Sequence, residues 1–314
     1  PPWFCNNINY IFVIAHFNMS FKSKVVIVTG SSGGIGAAIA IAFSREDAEL
    51  VITGRNKEKL DKVALQCKLN SKPPLVIQAN LTNDDEIEEI VSKTIQKYQR
   101  IDILVNNAGI MRLSSLVDTT FLNAYDELVK INLRAVVKIT NLVTPHIIAT
   151  KGNIVNISSV SGRQLHSHPF TAYGMLKASL DYFTQGVALE LGKYGVRVNA
   201  VSPGPVKTDI KPNSDSQYER PTFSTVLQRY SSPEEVAELV LFLAGDKANG
   251  ITGSNYTVDN GYLLRFNKLV GGVGMAGLAA QLNTQNGRIV DVELRKQARY
   301  YLYFHDNRLE SQRL

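Results

Sequence analysis

The fold is decided by the stretch Val25-Val26-Ile27-Val28-Thr29-Gly30-Ser31-Ser32-Gly33-Gly34-Ile35-Gly36. Its first four residues are β-branched and apolar, which is typical of a strand buried on both faces. The glycines follow and lead into an amphipathic segment, 35–43, which predicts a helix. Such a turn lets backbone N–H groups approach a pyrophosphate at the N-terminus of the helix. Residues Gly30 to Gly36 therefore predict a dinucleotide-binding turn, and a tight connection without a ligand is the alternative for this motif taken alone.

The rest of the chain, up to about Tyr262, alternates short apolar runs with amphipathic helical stretches. This alternation predicts an α/β fold with a parallel sheet covered by helices. The predicted strands are 25–28, 49–52, 75–77, 103–105, 153–157, 196–198 and 256–258. The predicted helices are 35–43, 57–69, 84–98, 121–148, 172–191 and 233–243.

Composition narrows the class of protein. With 44% hydrophobic and 20% charged residues among 314, disordered, collagen-like and disulfide-scaffold proteins are excluded. The net charge of +6 is too mild to indicate a nucleic-acid partner. No apolar run reaches the roughly 18 residues of a membrane span, so we expect none. Only two cysteines, Cys5 and Cys67, occur, which favours a reducing compartment, and we expect a cytoplasmic enzyme.

Both ends of the sequence depart from the α/β pattern. Residues 1–18 carry no charged side chain, and Met19 opens a segment typical of a true N-terminus, so we interpret 1–18 as an extension or gene-model artefact. An anchor or signal fragment is the alternative. Residues 267–314 are glycine-rich and then basic and aromatic. We interpret them as an appended helix or a disordered tail of unknown role, with RNA or acidic lipid binding as the alternative.

Three further motifs accompany the glycine turn: Asn106-Asn107-Ala108-Gly109, Tyr173-x-x-x-Lys177 and Pro203-Gly204-Pro205-Val206-Lys207-Thr208. With them the chain resembles the short-chain dehydrogenase/reductase family over about residues 21–262. Arg55, Ser232-Pro233-Glu234-Glu235 and Ile251-Thr252-Gly253 look most like its 3-oxoacyl-acyl-carrier-protein reductase-like subgroup. The resemblance implies a single Rossmann-type doubly wound domain, 19–266, of about seven strands. It also implies a homodimer or homotetramer that transfers a hydride between nicotinamide and a carbonyl or secondary alcohol.

The Tyr173 and Lys177 pair suits acid–base chemistry on such a substrate. Four residues apart on a helix, they are neighbours on one face. The ordinary pKa of a tyrosine is about 10. Because a neighbouring ammonium and a nicotinamide cation both lower this pKa by favouring the phenolate, Tyr173 is the predicted general acid and base. The family pattern adds that Lys177 holds the cofactor ribose.

A developing oxyanion also needs a fixed hydrogen-bond donor. Alignment with the family pattern selects Ser159, and one extra residue before Tyr173 leaves Ser161 as a rival. Asn132 matches the helix asparagine that, in this family, supports a water bridge to the lysine. Without the resemblance, Asn132 would be read as a local kink or an exposed polar residue.

Cofactor choice rests on the end of the second strand. At the position of Gly54, an acidic residue would accept a hydrogen bond from a ribose 2′-OH. This chain has Gly54 followed by Arg55, so we expect NADP(H) in preference to NAD(H). The alternative is that Arg55 is an exposed surface arginine. Asn80 and Leu81 stand where the family contacts adenine, although the family commonly has Asp at the first position. The family pattern gives further cofactor contacts to Asn107, Ala108, Gly109, Tyr173, Lys177, Pro203, Gly204, Val206 and Thr208.

The substrate is expected to be a small carbonyl or alcohol compound, with 210–231 forming a lid. His166 and His168 lack a third ligand nearby, so we interpret them as substrate-side or surface residues and expect no metal. Two alternatives stay open. One is an NAD-linked steroid, retinoid or sugar alcohol dehydrogenase, and the other is a non-catalytic dinucleotide-binding interaction protein.

Overall fold

The computed structural model describes residues 21–165, 170–208 and 225–264, together with two short strands at 284–285 and 288–289. The chain divides into two units, Pro1–Leu263 and Leu264–Leu314. In the second unit, the described strands pair antiparallel as Thr284–Gln285 with Arg288–Ile289. The histidines of 166–169, the first part of the predicted lid and both chain ends lie outside the described residues.

The first unit contains the predicted parallel sheet with helices around it. Its strands are β1 Val25–Thr29, β2 Glu49–Gly54, β3 Leu75–Gln78, β4 Ile103–Asn106, β5 Asn153–Ile157, β6 Arg197–Pro203 and β7 Asn255–Val258. Its helices are α1 Gly34–Arg45, α2 Lys57–Asn70, α3 Asp84–Tyr98, α4 Phe121–Leu128, α5 Ala135–Thr150, α6 Thr171–Leu191 and α7 Pro233–Ala244. The seven strands are parallel in the order β3-β2-β1-β4-β5-β6-β7. The predicted Rossmann-type doubly wound sheet is confirmed.

Both faces of the sheet are buried, which explains the unbroken apolar runs. On β1, Val26 and Val28 pack in one cluster with residues of α1 and α7, while Val25 and Ile27 pack on the opposite face with residues of α3 and α5. Alternate side chains of a strand point to opposite faces, so a strand covered on both sides has no polar position.

The predicted helix 121–148 is helical throughout, but it is not uniformly α-helical. A π-helical turn, Val129–Arg134, lies between α4 and α5. The buried Asn132 lies in this turn, and its side chain bonds to a loop distant in sequence. A tertiary contact of this kind leaves no periodic signal in the local sequence.

The strand order places a crevice above the middle of the sheet. The chain builds outward from β1 to β3 and then crosses back to place β4 on the other side of β1. Loops that leave the carboxyl ends of β1 and β4 therefore run in opposite directions, and ligands of open α/β sheets bind at such a switch point. Among the helices described, none is long and apolar enough to cross a membrane.

Candidate active site

A cavity of about 510 Å³ occupies this crevice. Of the residues singled out in the sequence, it is lined by Gly30, Ser32, Gly33, Gly34, Ile35, Gly36, Arg55, Asn80, Leu81, Asn107, Ala108, Gly109, Ser159, Tyr173, Lys177, Pro203, Gly204, Val206 and Thr208. Ser31 and Asn132 do not line it. Ser31 is buried and instead joins two strands, since its hydroxyl donates to Val28 O (3.0 Å) and accepts from Thr53 N (2.9 Å).

The glycine turn is shaped by close packing and leaves its amides open. Gly30 has φ +66, and a Cβ there would lie 2.7 Å from Ala108 Cα. At Gly36 a Cβ would lie 2.4 Å from the carbonyl oxygen of Gly30. Helix α1 begins after Gly33 with no side-chain cap and no acidic residue in its first turn. Its first N–H groups are therefore available to an anion.

The loop after β4 is fastened to this turn. Asn107 Nδ2 donates to Thr29 O (2.9 Å) and Gly30 O (3.1 Å), and Thr29 Oγ1 accepts from the backbone N–H groups of Asn107 and Ala108, both at 3.0 Å. The two loops that form the floor of the cavity thus hold a fixed separation.

Arg55 and Lys59 give one end of the cavity its positive charge. Both are exposed, both line the cavity, and within the described part of the chain neither forms an ion pair. Lys57, by contrast, pairs with Asp61 at the surface. Sequence reasoning missed Lys59, although its position four residues after Arg55, in the first turn of the predicted helix, was a usable signal.

Asn80, on the same side of the cavity, is engaged within its own loop. Its Oδ1 accepts from Thr82 N (3.2 Å), and its backbone N–H donates to Glu86 (2.7 Å). The carbonyl oxygen of a side-chain amide has two lone pairs, so one acceptor site is left for a ligand.

The other end of the cavity brings together Ser159, Tyr173 and Lys177. Ser159 caps a 3₁₀ turn at Val160–Gly162, where its Oγ accepts from Ser161 N (3.1 Å). The Ser159 side chain also lies close enough to the Tyr173 hydroxyl to lower the pKa of that hydroxyl. Lys177 Nζ lies 5.8 Å from the centre of the Tyr173 ring and donates to Ile157 O (2.8 Å). Ser161 also lines the cavity, but Ser159 is the serine whose side chain lowers the pKa of Tyr173.

Burial sets the proton affinities at this end. Tyr173 and Lys177 are 8% and 6% exposed. Burial raises the pKa of Tyr173 to about 12, against the smaller lowering effect of its bond to Ser159. Burial lowers the pKa of Lys177 to about 8, while the charge of Asp181 acts in the opposite direction. The sequence argument weighed the ammonium and the nicotinamide cation, which favour the phenolate; in the folded chain burial acts in the opposite direction.

Asn132 supports the site without lining it. Its Oδ1 accepts from Ile110 N and its Nδ2 donates to Ile110 O, both at 2.8 Å. This pair of bonds fixes the loop that follows Gly109. The water bridge between Asn132 and Lys177 that the resemblance implies stays a prediction.

Apolar and aromatic side chains complete the lining of the cavity, and sequence reasoning did not place them there. They are Ile110, Met111, Ile131, Val160, Phe170, Tyr230 and Tyr262, of which Ile110, Met111 and Phe170 pack in one cluster with Tyr173. The Phe170 ring packs edge-on against Tyr173, with 6.5 Å between ring centres. These residues lie far apart in the chain, and only the fold brings them to one wall. Tyr230 belongs to the predicted lid, whose described end is tied to the β6 loop through Ser231 N to Pro205 O (3.0 Å).

No group of three or more His, Cys, Asp or Glu side chains suited to a metal ion occurs in the described segments. Ser159, Tyr173 and Lys177 can donate a hydrogen bond, transfer a proton and carry a positive charge.

Comparison with known proteins agrees with this geometry. The family model described as enoyl-(acyl carrier protein) reductase matches residues 30–263. A 3-oxoacyl-[acyl-carrier-protein] reductase of Thermotoga maritima is 37% identical over 251 residues, which cover 78% of this chain and 100% of that protein. A 7alpha-hydroxysteroid dehydrogenase of Bacteroides fragilis is 32% identical over 247 residues, covering 77% and 95%.

Solved structures show the same likeness. A short-chain dehydrogenase from Burkholderia cenocepacia in complex with NADP superposes with a TM-score of 0.72 at 32% identity, covering 77% of this chain and 99% of that one. A Caenorhabditis elegans short-chain dehydrogenase/reductase of unknown function, with cofactor, gives a TM-score of 0.71 at 35% identity, covering 78% and 96%.

Proposed function

The chain belongs to the short-chain dehydrogenase/reductase family, whose members are nicotinamide-dependent oxidoreductases, and we propose that it interconverts a small carbonyl compound and its alcohol with NADP(H). The observation that carries the proposal is the joining of Ser159, Tyr173 and Lys177 at one end of a cavity whose other end is a glycine turn flanked by cations.

The proposed catalytic roles follow from the positions of these side chains. In reduction, Tyr173 donates its phenolic proton to the carbonyl oxygen, and in oxidation the phenolate accepts it back. Ser159 donates a hydrogen bond to the same oxygen as negative charge develops there. Lys177 places a positive charge beside the Tyr173 ring and stabilises the phenolate left by proton transfer. Asn132 holds the loop that faces them.

The residues of the cavity fit a dinucleotide. The open N-terminus of α1 suits the pyrophosphate, the loop after β4 would face the nicotinamide ribose, and Pro203, Gly204, Val206 and Thr208 would border the nicotinamide. When bound, NADP(H) supplies or accepts the hydride. Lys177 would also bond the ribose hydroxyls, because its Nζ has protons beyond the one given to Ile157.

Preference for NADP(H) over NAD(H) is supported by charge. A ribose 2′-phosphate needs cations, and Arg55 and Lys59 lie at this end of the cavity without an ion pair in the described residues. The position that would carry an acid in an NAD-specific site is Gly54. We accordingly place the 2′-phosphate beside Arg55.

Self-association and location belong to the same proposal. Helix α6 exposes an apolar stripe of Met175, Tyr182 and Leu189, which are 47%, 78% and 85% exposed. Residues seven apart lie on one face, and such a stripe is typical of a subunit interface. We infer a homodimer or homotetramer, which a mass measurement in solution checks, of a cytoplasmic enzyme whose catalytic domain is 19–266.

The decisive experiment follows nicotinamide absorbance with NADPH and, separately, NADH. The carbonyl panel holds a 3-oxoacyl thioester, a diketone, a quinone, a steroid ketone and an aldehyde. Because general acid catalysis contributes about 10²–10⁴-fold, Tyr173→Phe should lower turnover by at least about 100-fold. Binding of NADPH with no turnover of any carbonyl, or activity indifferent to Tyr173, would favour an interaction protein instead.

A further inference from the structure

Asp181 is a charged residue beside the site that the mechanism above does not use. It lies on α6 one helical turn after Lys177 and is only partly exposed. Its Oδ1 is buried and has no hydrogen-bond partner in the segments that the structure describes. A buried carboxylate oxygen without a partner is costly, so its retention needs a reason.

The contacts of Asp181 lead to the catalytic serine. Burial raises the pKa of Asp181, while the nearby side chains of Ser158 and Asn255 act in the opposite direction and favour the carboxylate. Ser158 directly precedes Ser159, and its hydroxyl also donates to Lys177 O (3.2 Å). The turn after Ser159 packs on the same spot, because a Cβ at Gly162 would lie 3.1 Å from Asp181 Oδ2 and 2.8 Å from the carbonyl carbon of Lys177. Asp181 therefore touches the segment that carries Ser159.

The same carboxylate supplies the negative charge that acts on the buried ammonium of Lys177. In the described segments Lys177 has no ion pair within 4 Å, and Asp181 is the charged group that shifts its pKa. The other titratable or charged groups facing the pair are Tyr173, on the same helix, and Arg163, on the adjoining turn. Arg163 itself is held by Thr257 Oγ1 (2.9 Å) and Asn255 O.

We propose that Asp181 is a positioning residue of the active site, which anchors the Ser158–Ser159 segment and provides the counter-charge that keeps Lys177 protonated. The proposal rests on the assigned roles of Ser159 and Lys177 in the proposed function. The lowered pKa of Lys177, about 8 even with Asp181 present, shows how little margin the ammonium has at neutral pH.

The first test reads Lys177 directly and needs no turnover. Lysines labelled with ¹³C at Cε are titrated by NMR, and the Lys177 signal is assigned by its absence in Lys177→Arg. In Asp181→Asn the midpoint of this titration should fall by about one pH unit, because the attracting charge is gone while the shape is kept. The matched control, Glu190→Gln, removes an exposed carboxylate from the same helix and should leave the midpoint in place. Equal midpoints in both variants would overturn the proposal.

The second test reads the reaction. The high-pH limb of kcat/KM for the carbonyl substrate should move to lower pH in Asp181→Asn, by the same amount as the NMR midpoint. Asp181→Ala, which also loses the anchor for Ser158, should lower kcat by a further factor of about ten, since misplacing a hydrogen-bond donor is costly in rate. A pH profile that stays in place contradicts the proposal.

Two further outcomes stay separable. If the wild-type chain turns over no carbonyl, the proposed function fails, while the lysine titration still decides the role of Asp181. If Asp181→Asn does not fold, Asp181→Ser, with a small polar side chain, is titrated in its place.

Discussion

Arg55 and Lys59 carry their charges at the solvent-exposed end of the cavity, whereas Tyr173 and Lys177 are almost fully buried at the other end. At the exposed end, water and salt screen each charge, so each acts weakly and nearly independently. At the buried end, the pKa of Tyr173 rises to about 12 and that of Lys177 falls to about 8. The same cavity thus separates a region that selects the cofactor from a region that is built for proton transfer.

This difference predicts how the two ends respond to substitution. Side chains at the buried end share partners, as Ser159 does with Tyr173 and with Ser161, so a change there alters several groups at once. Substitutions at the exposed end should have additive effects on the free energy of cofactor binding and should leave the rate of the chemical step unchanged.

The largest effect in this comparison is expected at Ser159. Ser159→Ala removes the proposed donor to the carbonyl oxygen, and loss of one such donor costs about 10²–10³ in kcat. Steady-state kinetics with NADPH measure the change, and KM for NADPH should stay within about twofold.

Ser161→Ala is the matched control, because this serine is buried two residues away and lines the same cavity. Its hydroxyl makes no hydrogen bond to Tyr173 in the described structure. Its kcat should remain within about threefold of wild type. A larger loss for Ser161→Ala than for Ser159→Ala would exchange the two roles.

Much of the fold and the motif residues of the site could be predicted from sequence, since the apolar runs and glycine turns act locally. The π-helical turn inside the predicted helix 121–148 was not predicted, because it contains Asn132, which bonds to Ile110, a partner supplied only by the tertiary fold. Asp181 and the apolar residues around Phe170 were missed for the same reason, whereas Lys59 had a local signal in its spacing from Arg55. The raised pKa of Tyr173 also depends on burial, which no spacing of Tyr and Lys reports.

A second prediction concerns the stability cost of the buried end. The pKa of Lys177 is about 8 in the folded chain against an ordinary value of 10.5, so the folded state disfavours the charged form. Below pH 8 the folded state bears the full free-energy cost of the buried ammonium, and this cost disappears as pH rises through 10.5. Lys177→Met should therefore abolish activity yet raise the free energy of unfolding at pH 7 by about 1–3 kcal/mol. Chemical denaturation at pH 7 and pH 10.5 measures it, and a gain that does not shrink at the higher pH would refute the explanation.

The smallest effects should come from the exposed end and should be confined to the 2′-phosphate. Arg55→Gln should weaken NADPH binding by about tenfold and Lys59→Gln by about threefold, as expected for charge-assisted contacts screened by solvent. NADH binding should change less than twofold in both, and the double variant should show the product of the two effects.

Lys57→Gln is the matched control, because Lys57 pairs with Asp61 and does not line the cavity. Calorimetric titration with 2′,5′-ADP and 5′-ADP isolates the phosphate from the nicotinamide. If 2′,5′-ADP binds no better than 5′-ADP to the wild-type chain, the exposed end does not select NADP(H), and the contrast between the two ends is then one of burial alone.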